Sequence, residues 1–169
     1  TEEGEDEEPR VWRWYVDPAS SEDPGSRSAE KPQYLDFHLE HAEHFAREIA
    51  AALELSAVEG SAIRWAARFH DLGKRRALWQ RSIGNFDPRV VLAKSGDRRG
   101  GRPSTKYRHE LGSLLDIDRE PEFQALTDAG KDLVLHAIGS HHGRARPCFL
   151  DGEVFDPEHS DARCAQAAL

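Results

Sequence analysis

The stretch Ile63-Arg-Trp-Ala-Ala-Arg-Phe-His-Asp-Leu-Gly-Lys74 decides the fold, because an apolar helical pattern runs directly into an adjacent histidine and aspartate. Its apolar residues recur at three- and four-residue steps, which is typical of one face of an α-helix. Just upstream, Ser56 and Glu59 have the spacing of a capping box, and Gly73 is placed to end the helix as a left-handed cap. We therefore expect a helix that carries the histidine–aspartate pair at its C-terminal end.

Similar patterns predict helices on both sides of this stretch. The predicted helices cover residues 35–53, 77–83, 107–115 and 127–141, the last with Thr127 as its N-cap. Apart from an aromatic run at residues 11–16, no stretch pairs convincingly as strands. The sequence therefore predicts an all-α domain, a bundle of about five core helices.

Two further stretches lack a periodic pattern. Residues 1–33 begin with six acidic residues among the first eight and continue through the aromatic run into a segment rich in Ser, Pro and Gly. This composition predicts an acidic tail and linker, an irregular N-terminal extension that leaves residues 34–169 as the folded domain. Residues 85–106 combine prolines, glycines and arginines, which predicts a long, mobile, basic loop.

The net charge of −8 hides an uneven distribution. Residues 1–63 carry −11, residues 64–109 carry +10 and residues 110–169 carry −7. The positive segment flanks the histidine–aspartate pair, so it predicts a basic surface along which a phosphodiester backbone can bind. The net charge of the whole chain, taken alone, would argue against binding to nucleic acid. Four aromatic residues are candidates for base stacking, although core packing is favoured for the first: Trp65, Trp79, Phe86 and Tyr107.

Several classes of protein are excluded by what the sequence lacks. No apolar segment approaches the roughly 20 residues of a membrane span. The two cysteines, Cys148 and Cys164, have no Cys-x-x-Cys spacing, which predicts a protein of the reducing cytoplasm without a thiolate metal site. The glycines of residues 96–102 have the spacing of a phosphate-binding loop but lack its Lys and Ser/Thr, so no ATPase is expected.

Many of the nine histidines stand on a predicted apolar helix face or at a predicted helix end. Imidazole and carboxylate groups are ligands that divalent transition metals prefer. Each histidine taken alone is more often a packed or surface residue, but the ordered set predicts a metal site. Its members are His38, His70, Asp71, His109, His141 and His142. His41 competes with His38, His136 is expected to pack or to support a ligand, and His159 is expected to play no part.

The stretch Phe69-His-Asp-Leu-Gly-Lys74 resembles the signature of the HD superfamily of metal-dependent phosphohydrolases. Further motifs narrow the resemblance to the HD nuclease domain of the CRISPR-associated helicase-nuclease of type I systems, over residues 35–147. These motifs are Leu35-x-x-His38, Trp79-Gln80, Leu92-Ala-Lys-Ser-Gly96, Tyr107-Arg-His-Glu110 and Ser140-His-His-Gly-Arg-Ala-Arg-Pro147. The resemblance implies an HD helical bundle that hydrolyses phosphodiester bonds of single-stranded DNA in antiviral defence. Its implied partners are a helicase, in the same or a partner chain, and a CRISPR surveillance complex.

The resemblance also implies a site with two divalent metal ions, drawn from Mn, Fe, Co, Ni and Mg. One ion is implied at His38, His70 and Asp71, and the other at Asp71, His109, His141 and His142, so that Asp71 bridges them. Asp71 and Lys74 are the implied catalytic residues, and Lys74, Arg144 and Arg146 are the implied substrate contacts. The alternative is that Lys74 is a solvated helix-end lysine and the two arginines are ordinary surface residues.

The chain departs from that family near its C-terminus. In the family a further aspartate, from a later helix, completes the ligands of the first ion. Asp151, Asp156 and Asp161 are present, but none of them lies in an equivalent predicted helix. Two other functions therefore stay open: an HD phosphohydrolase acting on nucleotides or cyclic dinucleotides, and a module that docks on DNA or on the surveillance complex without catalysis.

Overall fold

The computed structural model describes residues 31–96, 107–142 and Asp156. Within these residues six α-helices, two 3₁₀ turns and two short strands follow one another along the chain. They are β1 (Gln33–Tyr34), α1 (Leu35–Ala52), α2 (Ala57–Phe69), a first 3₁₀ turn (Leu72–Arg75), α3 (Ala77–Ser82), β2 (Leu92–Lys94), α4 (His109–Asp116), a second 3₁₀ turn (Ile117–Arg119), α5 (Pro121–Gln124) and α6 (Asp128–Ser140). The predicted all-α helical bundle is confirmed, and α5 is the helix that the sequence patterns did not predict.

The core lies where α2 packs against α1 on one side and against α6 on the other. The small side chains of Ala62 and Ala66 let α2 approach its neighbours closely, because the distance between two packed helix axes depends on the size of the side chains at the contact. Trp65 stacks on Phe69 with ring centroids 5.6 Å apart, so its predicted packing against the core is confirmed. The other fully buried members of these helices are Leu35, Leu39, Val134 and Ile138.

The two N-caps predicted from the sequence are both present. The Ser56 hydroxyl accepts a hydrogen bond from the Glu59 amide at 3.3 Å, and the Glu59 carboxylate accepts one from the Ser56 amide at 3.0 Å. At the start of α6 the Thr127 hydroxyl accepts from the Gly130 amide at 3.2 Å. These bonds satisfy backbone donors that a helix N-terminus otherwise leaves unpaired, so α2 and α6 begin at defined residues.

Gly73 was expected to be a left-handed cap, and this expectation is wrong. Among the described glycines, positive φ values occur at Gly84 and Gly96, whereas Gly73 lies inside the first 3₁₀ turn. Its lack of a side chain serves close packing, since a Cβ there would collide with the His109 carbonyl and lie 2.8 Å from the Ser113 amide. Glycine therefore lets the first 3₁₀ turn lie directly against α4.

The expectation that no strand pair exists outside the aromatic run is also wrong. β1 pairs antiparallel with β2, with Gln33 opposite Lys94 and Tyr34 opposite Leu92. Strands of two and three residues are too short for an alternating pattern, so the sequence carries little sign of them. β2 and the hydrogen bonds of the Asn85 amide to Gln80 and to the Val90 carbonyl give structure to part of the predicted mobile loop. The remainder of that loop, the aromatic run and the predicted linker over residues 1–30 lie outside the described residues.

None of the described helices combines the length and the apolar character that a membrane crossing requires.

Candidate metal centre

The six predicted ligands come from element ends that meet around one carboxylate. His70 directly follows α2, Asp71 precedes the first 3₁₀ turn, and His109 is the first residue of α4. His141 directly follows α6, and His142 comes next, while His38 lies in the first turns of α1. The Asp71 side chain is almost completely buried among them, with 1 % of the residue exposed. The arrangement places imidazole nitrogens on both sides of a single buried carboxylate.

The first metal group consists of His38, His70 and Asp71, whose ligand atoms all lie within 4.8 Å of one another. Asp71 Oδ2 is 3.2 Å from His38 Nε2 and 3.3 Å from His70 Nε2. His70 Nδ1 lies 2.8 Å from the carbonyl of Ala67, an oxygen that can only accept, so this nitrogen donates. Its hydrogen bond orients the ring and leaves Nε2 facing Asp71, which is the usual support for a metal-binding histidine.

The second metal group consists of His109, His141 and His142, again with ligand atoms within 4.8 Å of one another. The other carboxylate oxygen, Asp71 Oδ1, faces this group at 3.1 Å from His109 Nε2 and 3.7 Å from His141 Nε2. His141 Nδ1 donates to the Ile138 carbonyl at 2.7 Å, so its Nε2 also points inward. Each oxygen of Asp71 therefore serves a different group of histidines.

Two buried atoms show that this cluster fits a divalent cation. In the described part of the chain, Asp71 Oδ1 and His141 Nε2 are buried without a hydrogen-bond partner. His109 Nε2 lies 3.1 Å from Oδ1, but its hydrogen-bond partner is His142 Nε2 at 3.0 Å. A buried acceptor without a partner costs about 1–3 kcal/mol, and nitrogen and carboxylate oxygen together suit mid-series divalent metals. Coordination to a metal ion would satisfy both atoms at once.

The protonation states of Asp71 and His141 agree with metal binding. Burial alone would raise the pKa of Asp71, but the Lys74 ammonium, His70 and the neighbouring His109 and His38 hold that pKa well below its usual value. Burial, and then the neighbouring His142, lower the pKa of His141 to about 3. Near neutral pH the carboxylate is therefore ionised and the His141 imidazole is neutral, which are the forms that coordinate metals.

Lys74 is buried, so the alternative of a solvated helix-end lysine is wrong. The residue is 3 % exposed, and its Nζ lies 2.8 Å from Asp71 Oδ2. The ammonium also lies 5.1 Å from the ring centre of Trp79. The Trp79 ring itself meets His109 edge-on with centroids 5.9 Å apart, so this buried tryptophan packs beneath the site and is not available for base stacking.

A buried clip around Ser113 was missed by sequence reasoning. The Ser113 hydroxyl accepts from the Gly73 amide at 2.9 Å and donates to the His109 carbonyl at 3.0 Å. The Tyr107 hydroxyl donates to the Gly73 carbonyl at 3.2 Å, so Tyr107 is also buried and unavailable for base stacking. The one sequence signal was a serine one helical turn after His109, which is too common to predict this contact. The clip joins the ends that carry Asp71 and His109.

The structure separates the competing histidines and aspartates from the site. His41 is exposed beside Phe37, with ring centroids 4.1 Å apart, and His38 takes the inward position. His136 is exposed, so the expectation that it packs or supports a ligand is wrong. Asp156 is buried and accepts from Arg76 Nη1 at 3.3 Å, away from both metal groups. His159, Asp151, Asp161, Arg144 and Arg146 lie outside the described residues.

Most cations of the basic segment that the structure describes pair with carboxylates of the fold. Arg64 pairs with Glu43 at 2.7 Å and Arg75 with Asp36 at 3.2 Å, and the further pairs have nitrogen–oxygen distances of up to 3.8 Å. These pairs are Arg68–Glu43, Lys74–Asp71, Arg76–Asp116, Arg89–Asp87 and Arg108–Glu110. The sum of +10 therefore overstates the positive surface that the described residues present. Phe86, by contrast, is 76 % exposed and stays a candidate for base stacking.

Comparison with known proteins gives one match. A family model described as "Cas3, HD domain" matches residues 34–167, a range that includes all six candidate ligands. No curated protein and no solved structure matches the chain.

Proposed function

Since the chain belongs to the Cas3 HD domain family, whose members are CRISPR-associated, metal-dependent nuclease domains, we propose that it hydrolyses phosphodiester bonds of single-stranded DNA. We further propose that it does so in type I interference, on a strand delivered by a helicase. The observation that carries the proposal is the pair of metal groups that share the Asp71 carboxylate, one on each oxygen.

In this proposal His38, His70 and Asp71 hold one divalent ion, and Asp71 with the second metal group holds the other. When bound, such a pair of ions supplies Lewis acidity and a nucleophile at neutral pH for in-line displacement at phosphorus. The chain's own residues orient the ligand side chains and determine the charge of the site. Backbone carbonyls of Ala67 and Ile138 fix the rings of His70 and His141, and the clip around Ser113 holds α4 against the Asp71 turn.

Lys74 supports the site by keeping Asp71 ionised. Its ammonium is buried against Asp71 Oδ2, so in the described structure it is engaged by the carboxylate. The contact of Lys74 with the substrate phosphate stays a prediction, as do the strand contacts of Arg144 and Arg146. These two arginines follow His142, a member of the second metal group, within four residues of the sequence.

The proposal is tested by incubating the chain with long single-stranded DNA and with Mn²⁺, Ni²⁺, Co²⁺, Fe²⁺ or Mg²⁺ in separate reactions. We expect cleavage with at least one ion and its loss in Asp71→Ala. Asp87→Ala is the matched control, because Asp87 is a more exposed aspartate that pairs with Arg89. Full cleavage by Asp71→Ala would overturn the site assignment.

The same assay separates the alternatives. Hydrolysis of free nucleotides or cyclic dinucleotides, with the long strand left intact, would favour a nucleotide phosphohydrolase. Metal binding without hydrolysis of any of these substrates would favour a docking module. Release of nucleotides or fragments from the long strand alone supports the nuclease.

A further inference from the structure

Within the part of the chain that the structure describes, the two metal groups differ in their contact with Lys74. Its Nζ lies 2.8 Å from Asp71 Oδ2, the oxygen that His38 and His70 also contact. Asp71 Oδ1, which faces His109 and His141, has no hydrogen-bond partner among the described residues. Among the described residues, the carboxylate oxygen of the first metal group therefore already carries a cation, whereas Asp71 Oδ1 does not.

The Lys74 ammonium is held in this position by its surroundings. The residue is 3 % exposed, and the Trp79 ring lies 5.1 Å from Nζ. The buried Gln80 amide donates to the Lys74 carbonyl at 2.6 Å and to the Leu92 carbonyl at 2.9 Å, which ties the lysine backbone to β2. A metal ion entering the first metal group would have to share Oδ2 with an ammonium that has little freedom to leave.

We propose that Lys74 sets the order in which the two groups take up metal: the second metal group binds its ion first and more tightly, and Lys74 weakens the first. This inference rests on the proposed function, since both groups must be metal sites. Two cations on one buried carboxylate oxygen repel each other with little screening by water or salt. Binding at the second metal group meets no such charge on Oδ1 and also satisfies the unpaired His141 Nε2.

The test is a calorimetric titration of the whole chain with Mn²⁺ alone, without substrate. We expect a tight and a weak class of site in the wild type. His142→Ala should remove the tight class, and His38→Ala the weak class. Lys74→Met should strengthen the weak class by about tenfold or more and leave the tight class unchanged, because only the first metal group loses a competing cation.

Arg75→Met is the matched control, since it removes a neighbouring cation that pairs with Asp36 and is half-exposed. It should leave both classes within about twofold of the wild type, because an exposed charge is well screened. If Lys74→Met does not fold, Lys74→Gln takes its place, and the comparison of the two histidine variants does not depend on either.

Each outcome decides a different point. Loss of the tight class in His38→Ala would overturn the order of loading. An unchanged weak class in a folded lysine variant would overturn the role of Lys74. If the wild type binds a single ion, its loss in His142→Ala supports the order, and its loss in His38→Ala overturns it. Absence of any Mn²⁺ binding by the wild type would instead contradict the proposed function itself.

Discussion

Two buried cations lie two residues apart in or beside the first 3₁₀ turn, and they stand in opposite situations. Lys74 belongs to the metal cluster, which we define as Asp71, Lys74 and the five candidate histidine ligands. Arg76 belongs to an arginine cluster formed with Asp116 and Asp156. Both side chains are 3 % exposed, so burial does not distinguish the two clusters.

Hydrogen bonding distinguishes them. Arg76 donates to Asp116 at 2.8 and 3.4 Å and to Asp156 at 3.3 Å, so one guanidinium binds two carboxylates. The metal cluster leaves Asp71 Oδ1 and His141 Nε2 without partners. A buried polar network whose groups are all paired stabilises a fold, whereas an incomplete one is expected where a ligand binds. The arginine cluster therefore stabilises the fold, and the metal cluster is the place where a ligand would bind.

The largest expected effect is on the rate of DNA cleavage when a carboxylate of either cluster is replaced by an amide. Asp71→Asn should lower the rate of DNA cleavage by more than about a hundredfold, because an amide is a poor substitute for a carboxylate that would hold a metal ion on each oxygen. Asp116→Asn changes the same group in the arginine cluster and should leave the rate per folded molecule within about tenfold of the wild type. Steady-state cleavage with folded fractions measured by circular dichroism checks both. A similar loss in the two variants would contradict the division into clusters.

The next prediction compares how Mn²⁺ changes the free energy of unfolding when the buried cation of either cluster is removed. Removing one partner of a buried ion pair costs about 3–5 kcal/mol, so Lys74→Met and Arg76→Met should both lower the free energy of unfolding by that amount. Saturating Mn²⁺ should restore much of the loss in Lys74→Met, because bound cations replace the ammonium beside Asp71. It should not restore the loss in Arg76→Met. Urea unfolding with and without Mn²⁺ measures this, and equal rescue of both variants would be the contrary result.

A smaller effect concerns the turn that joins the two clusters. Gly73→Ala places a Cβ against the His109 carbonyl, so it should destabilise the fold by about 1–3 kcal/mol and weaken Mn²⁺ binding by moving Asp71 relative to α4. The control is Gly60→Ala, whose Cβ would meet Ala50 Cβ at 3.8 Å. That substitution should stabilise α2 by up to about 1 kcal/mol, since alanine is the better helix former. Urea unfolding and Mn²⁺ titration distinguish the two glycines, and equal effects would contradict the packing role of Gly73.

Local patterns predicted the helices and caps because neighbouring residues determine them. The capping box at Ser56 and Glu59 and the cap at Thr127 depend on contacts three residues apart, and both are confirmed. The ordered histidines predicted the ligand set, and the resemblance to the HD family added its division into two groups. His38 and His109 fall in different groups, and each contacts a different oxygen of Asp71 through tertiary packing.

The features that the sequence did not predict depend on residues distant in the chain. Gly73 was interpreted as a cap because its contact, α4, begins 36 residues later. The +10 segment suggested an open basic route because a count of charges cannot show that Arg64 and Arg75 pair with carboxylates of α1. A solvated Lys74 stayed open as an alternative because its burial depends on the packing of the first 3₁₀ turn against α4, although its partner Asp71 is only three residues away. Tertiary packing decides these three cases.

The smallest expected effect tests whether the Ser113 clip positions the site or only stabilises the fold. Ser113→Ala leaves the Gly73 amide without its partner and should cost about 1–3 kcal/mol of stability. Thr127→Ala removes a helix cap for a similar cost of about 1 kcal/mol, at a site where Gly130 is the contact. Only Ser113→Ala should also weaken Mn²⁺ binding, by about tenfold, because the hydroxyl holds the His109 carbonyl and the Asp71 turn together. If both variants bind Mn²⁺ as the wild type does, the clip acts on stability alone, and the two metal groups keep their geometry without it.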